Sequence, residues 1–125
     1  MLEILRSLEP RTEPKDHILY WTIEECQEIY FIMQGEVDIG FEIDRYIKYV
    51  VRLFKASVIG AYNCTYDKKT IFAYKCRSML KAYTIRKKTW CSILNNPDYD
   101  SISQSMKHNI QENFFHNIKN KVVLY

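Results

Sequence analysis

Three histidines, four cysteines and fifteen acidic residues are the side chains of this chain with the means to do chemistry. A metal centre needs such groups clustered as ligands, and covalent catalysis needs a nucleophile within reach of a base. His17 stands by itself, while His108 and His116 are two helical turns apart, too distant to share one ion on an isolated helix. Cys26, Cys64, Cys76 and Cys91 form no CxxC pair and have no histidine close in sequence. They read as reduced core thiols of a cytosolic protein. Cys91 follows Trp90 on an expected core face, where a thiolate is disfavoured. Glu24 and Glu25 fall in a loop as solvated carboxylates. No catalytic residue, no metal site and no enzyme activity are expected.

The elements that position these residues belong to one ordinary domain of 125 residues, 47% hydrophobic and 26% charged. The net charge of +3 is mild, and lysine and arginine are dispersed among aspartate and glutamate, unlike the basic face of a nucleic-acid binder. The one dense basic run, Arg86-Lys87-Lys88, reads as a solvated corner between a strand and a helix. No signal peptide is expected at the N-terminus, and no apolar run approaches the ~18 residues of a membrane span, so no membrane insertion by this segment is expected. Ten tyrosines against three glycines favour broad half-buried sheet surfaces.

From Ile18 to Ile85 the apolar pattern is short and strand-like. Glu28 to Gln34 and Val37 to Ile43 alternate on either side of Gln34-Gly35, where glycine can take the positive φ of a tight hairpin. Ile47 to Phe54 is a β-branched and aromatic run, and Thr70 to Cys76 with Ser78 to Ile85 is expected to form a further strand pair. Asn63 to Asp67 reads as a polar loop. Beyond Arg86 the period changes. Lys88 to Leu94 predicts a short helix ended by Asn95-Asn96-Pro97. Ile102, Met106, Ile110, Phe114, Ile118 and Val122 then recur at i, i+4 spacing, the stripe of a long amphipathic helix. The expected fold is mainly β with C-terminal helices: an antiparallel, jelly-roll-like β-roll of about eight strands over residues 1–86, then a short and a long helix over 87–125.

Glu28-Ile29-Tyr30-Phe31-Ile32-Met33-Gln34-Gly35-Glu36-Val37 resembles the first long hairpin of cyclic nucleotide-binding domains. Glu9-Pro10-Arg11 through Leu19 is similar to that family's first strands, Ile59-Gly60 stands where the family has Phe-Gly, and Trp90 with Pro97 falls where its last two helices meet. The wording is most like the C-terminal domains of voltage-gated potassium channels of the hyperpolarisation-activated and ether-à-go-go groups.

In such a domain a cyclic phosphate sits on backbone N–H groups of a glycine-led turn, an arginine fork neutralises it, and a glutamate takes the ribose 2′-hydroxyl. The resemblance places these roles on Gly60, Ala61, Lys69 and Thr70, with Ile110, Phe114 and Ile118 on a lid helix. Ala61 cannot accept a ribose hydrogen bond, Ala56 replaces a family glycine, and Lys69 is a point charge where the family has a planar fork. The cassette therefore reads as degenerate. Weak binding of cAMP or cGMP, or of another small anion through Lys69 and Thr70, stays open beside complete loss. The resemblance implies a non-catalytic regulatory domain, the cytoplasmic part of an ion-channel subunit, tethered to a membrane through upstream segments and packed against other subunits. The alternative is an interaction subunit of a larger assembly, with Trp21, Tyr62, Tyr66 and Tyr125 as contact residues.

Overall fold

A computed structural model of the chain describes residues 2–116. A short helix, α1 (Leu2–Ser7), precedes eight strands: β1 (Glu9–Glu13), β2 (Ile18–Tyr20), β3 (Glu28–Gln34), β4 (Val37–Ile43), β5 (Tyr46–Leu53), β6 (Val58–Ile59), β7 (Ala73–Cys76) and β8 (Leu80–Arg86). A six-residue helix, α2 (Ala61–Tyr66), lies between β6 and β7, and α3 (Lys87–Leu94) and α4 (Asp100–Phe114) follow β8. The strands form two four-stranded antiparallel sheets, in the orders β1-β8-β3-β6 and β2-β7-β4-β5. This is the expected β-roll with C-terminal helices.

Two strand pairings differ from the sequence reading. Gly35 does have the positive φ, +102°, that the pattern asks for, but β3 and β4 are not a hairpin. β3 pairs with β8 and β6, whereas β4 pairs with β5 and β7 in the other sheet. Likewise β7 and β8 do not pair with each other, and the strand expected from Thr70 begins only at Ala73. Both runs turn a corner from one sheet to the other, and the corners pack together. The Arg77 N–H donates to the Glu36 carbonyl at 2.9 Å, and the Glu36 N–H donates to Ser78 Oγ at 3.1 Å. A Cβ on Gly35 would meet the Met79 carbonyl oxygen at 2.5 Å, so glycine is required here by close approach as well as by φ. Alternation is the same in a corner strand as in a hairpin strand, which is why periodicity alone mistook one for the other.

The core lies between the sheets and under the helices. Ile29, Ile32, Val37, Ile39, Ile59, Leu80 and Ile85 are essentially inaccessible there, with Tyr74 among the largest buried side chains. Among the described residues, the one two-residue hairpin joins β4 to β5 through Asp44 and Arg45, both at positive φ, as the right-handed twist of the flanking strands requires.

The segment Asn63 to Asp67, expected to be a polar loop, belongs mostly to α2. Its residues are mediocre helix formers, and six residues are too few to hold a helix by themselves. Tertiary contacts hold it instead. Gly60 enters at φ +87°, where a Cβ would meet the Glu28 carbonyl oxygen at 2.8 Å. The Trp90 indole donates to Thr65 Oγ1 at 2.9 Å, and Asn63 Nδ2 closes the far end on the Lys68 carbonyl at 3.1 Å. α4 begins at Asp100 after a turn capped by Asn96, whose side chain accepts from the Asp98 N–H. Ile118, Val122 and Tyr125 lie outside the described residues.

Candidate ligand-binding site

β5, the loop after it, α2 and α4 enclose a cavity of about 640 Å³, within the range of small-molecule sites. Phe31, Val51, Leu53, Tyr74 and Trp90 form its apolar floor. The start of α2 supplies Gly60 to Asn63, and α4 contributes Met106, Asn109, Ile110, Asn113 and Phe114 to one wall of the half-open space.

α4 is seated by aromatic packing. The Phe114 ring stacks on Tyr62 with centroids 4.2 Å apart and planes within 6°, and Phe72 lies 6.2 Å from it on a tilt. Tyr66, one turn after Tyr62, donates its hydroxyl to the Lys107 carbonyl at 2.8 Å. Ile110 and Phe114, expected on a lid helix, both line the cavity; Ile110 is partly buried and Phe114 is 9% exposed against the core.

The expected ligand-binding residues separate into two groups. Gly60 and Ala61 line the cavity. Lys69 and Thr70 do not: Lys69 is exposed, and Thr70 is buried with Oγ1 donating to the Phe72 carbonyl at 2.8 Å and accepting from the Phe72 N–H at 3.1 Å. Thr70 also donates its N–H to the Glu24 carbonyl and accepts at its own carbonyl from Ile23, so it joins two loops.

Arg52, which sequence reasoning did not single out, is the one charged residue among the described residues that line the cavity, and its side chain is exposed beside Asp38, its cross-strand partner on β4. Its Nε donates to Asp38 at 3.0 Å and stands 3.8 Å from Glu36, and Arg77 pairs with the same two carboxylates at 3.9 and 3.4 Å. Two arginines and two carboxylates cancel. Asp67, at the end of α2, is likewise engaged, because Lys87 on α3 hydrogen-bonds its carboxylate. That bond holds the Asp67 carboxyl below, and the Lys87 ammonium above, their ordinary values. Burial pushes the Cys26 and Cys64 thiols up to about 12, so neither is a nucleophile at neutral pH. No group of three metal-ligating side chains occurs among the described residues.

Comparison with solved structures identifies the architecture. The chain has the fold of a cyclic nucleotide-binding β-roll. It superposes on a candidate cAMP-binding regulatory protein from Silicibacter pomeroyi DSS-3 with a TM-score of 0.71 and 13% identity, over 88% of this chain and 53% of that one. The regulatory domain of Toxoplasma gondii PKA with cAMP gives a TM-score of 0.66 at 14% identity, over 70% of this chain and 33% of the other. A cAMP-bound EAL enzyme gives 0.68 at 13%, over 83% of this chain and 28% of the enzyme. This chain therefore spans about a third or less of the last two proteins. The sequence matches no protein-family model and no curated protein sequence.

Proposed function

We propose that this chain is a non-catalytic regulatory domain in which α4 moves against the β-roll, and in which cyclic nucleotide affinity is reduced to the millimolar range or lost. One observation carries the reading. The cavity of the fold is present and lidded by α4, yet the residues that should meet a ribose cyclic phosphate are an alanine at its wall and a lysine outside it. Losing a hydrogen bond to a charged acceptor costs on the order of 1.5–3 kcal/mol, or roughly ten- to a hundredfold in affinity. The missing arginine fork adds to that.

The potassium-channel resemblance of the sequence supports a place at the cytoplasmic end of a channel subunit, where α4 would transmit its position to neighbouring subunits. Among the described residues no helix is long and apolar enough to cross a membrane, so such a tether would lie in other segments. A ligand drives α4 only so far as it binds one of its positions better than the other. A second reading, a docking platform, is favoured by Trp21, Ile23 and Ile71, which are 50%, 72% and 56% exposed on two loops joined through Thr70.

Thermal unfolding with cAMP, cGMP and AMP up to several millimolar tests the first reading. Saturation at a hundred times the dissociation constant adds about 2.7 kcal/mol, a rise in Tm of roughly 10 °C for a domain this size. The expected result is no saturable rise at micromolar ligand; a rise there with either cyclic nucleotide refutes the proposal.

A further inference from the structure

The exposed side chains of the docking reading carry an inference about what docks there, and it rests on that reading. We propose that loops 21–25 and 68–71 form a self-complementary interface whose partner is a second copy of this chain.

Ile23 sits where folding does not explain it. Its φ is +66°, in the left-handed region that a β-branched side chain enters only at a cost, and its side chain is 72% exposed. Trp21 is 50% and Ile71 56% exposed, and none of the three belongs to the core. The backbone holds them there. Ile23 donates its N–H to the Thr70 carbonyl at 2.6 Å, Thr70 donates to the Glu24 carbonyl at 2.9 Å, and Trp21 donates to Glu24 Oε2 at 2.8 Å. Covering the loops therefore leaves none of these donors without an acceptor.

Charge names the partner. Glu24 and Glu25 are exposed on the first loop, Lys68 and Lys69 on the second. Although the loops are hydrogen-bonded side by side, none of these four forms an ion pair among the described residues. Lys68 lies near Asp67, whose carboxylate is already bonded to Lys87. Two negative and two positive charges cancel, so the surface has no net attraction for a polyanion or an anionic bilayer. A two-fold axis through the apolar residues instead lays the acidic loop of each copy on the basic loop of the other, with Trp21, Ile23 and Ile71 between them. Two short loops make a small, transient interface. Dimers then form at high concentration, or where neighbouring subunits hold the loops close.

Sedimentation velocity of the full chain between about 1 μM and 1 mM tests this. The expected result is a monomer–dimer equilibrium in that range, weakened by salt. Ile23→Asn removes the apolar contact and places at φ +66° a residue that tolerates it, so it should abolish dimers without lowering Tm. Glu25→Lys and Lys69→Glu each reverse two symmetry-related contacts and should each weaken self-association about tenfold. Mixed together, the two reversed chains should associate as tightly as the unaltered chain, which a merely structural role of either residue does not give. A chain monomeric throughout overturns the inference and leaves the platform to a different protein. Failure of mixing to restore association overturns it too. Dimers that all three variants leave intact form elsewhere on the molecule, and overturn the docking reading together with the inference.

Discussion

Truncating Phe114 to alanine asks whether α4 is a lid or an inseparable part of the core. Phe114 is 9% exposed, stacked on Tyr62 at 4.2 Å and within ring contact of Phe72 and Phe115. Burial of a phenylalanine side chain contributes about 1.5–3 kcal/mol, and aromatic pairing about 0.5–1.5 kcal/mol more. The residue ends α4, so the surroundings can relax into the gap, and a total near 3 kcal/mol is expected, the low end for Phe→Ala in a core. If α4 docks on a roll that is stable without it, that energy is lost from docking alone. Amides of α4 between Met106 and Gln111 should then exchange with deuterium about a hundredfold faster. Amides of β3 and β8 should keep their protection within a factor of about two. Hydrogen exchange followed by mass spectrometry on peptides from each element separates the two cases. Equal acceleration in β3, β8 and α4 would show one cooperative unit, and the mobile-helix reasoning would be wrong.

Other outcomes are expected from single sites. Ser103 on α4 is 2% exposed and its Oγ has no hydrogen-bond partner among the described residues, so Ser103→Ala should leave stability unchanged or raise it by up to about 1 kcal/mol in urea unfolding. Gly35→Ala forces a Cβ onto the Met79 carbonyl at positive φ and should cost about 2 kcal/mol or more, seen as a lower urea midpoint at unchanged slope. Lys69→Ala should leave any ligand affinity within a factor of about two by calorimetry, because the side chain is exposed and outside the cavity lining. Burial raises the Cys26 and Cys64 thiols to about 12 and the Tyr30 hydroxyl to about 12. The unfolded chain releases these protons first, so stability is fully present below pH ~8.5 and should fall as the pH rises towards 12, measurable as urea midpoint against pH.

Strand-like alternation from Ile18 to Ile85, the change of period after Arg86 and the positive φ of Gly35 are properties of the sequence itself. Backbone sterics and side-chain spacing are local, and local rules were enough to name a β-roll followed by a short and a long helix. The stripe that placed Ile110 and Phe114 on one face of a long helix needed only the helical repeat. Which strands pair was decided in three dimensions. The runs on either side of Gly35 and of Ser78 look like hairpins, yet each crosses between sheets, because each corner is stabilised by the other through Glu36, Arg77 and Ser78. α2 was hidden for the same reason: its residues have little helical preference of their own, and Trp90 and Lys107 supply from a distance the bonds that hold it. The candidate site divides likewise. Gly60 and Ala61 could be placed by their likeness to a known pattern, but the exclusion of Lys69 and Thr70 from the cavity, and the neutralisation of Arg52 by Asp38 and Glu36, depend on neighbours far away in the chain. Charge balance in a cavity is a sum over whatever the fold brings together, and only the folded chain carries it out.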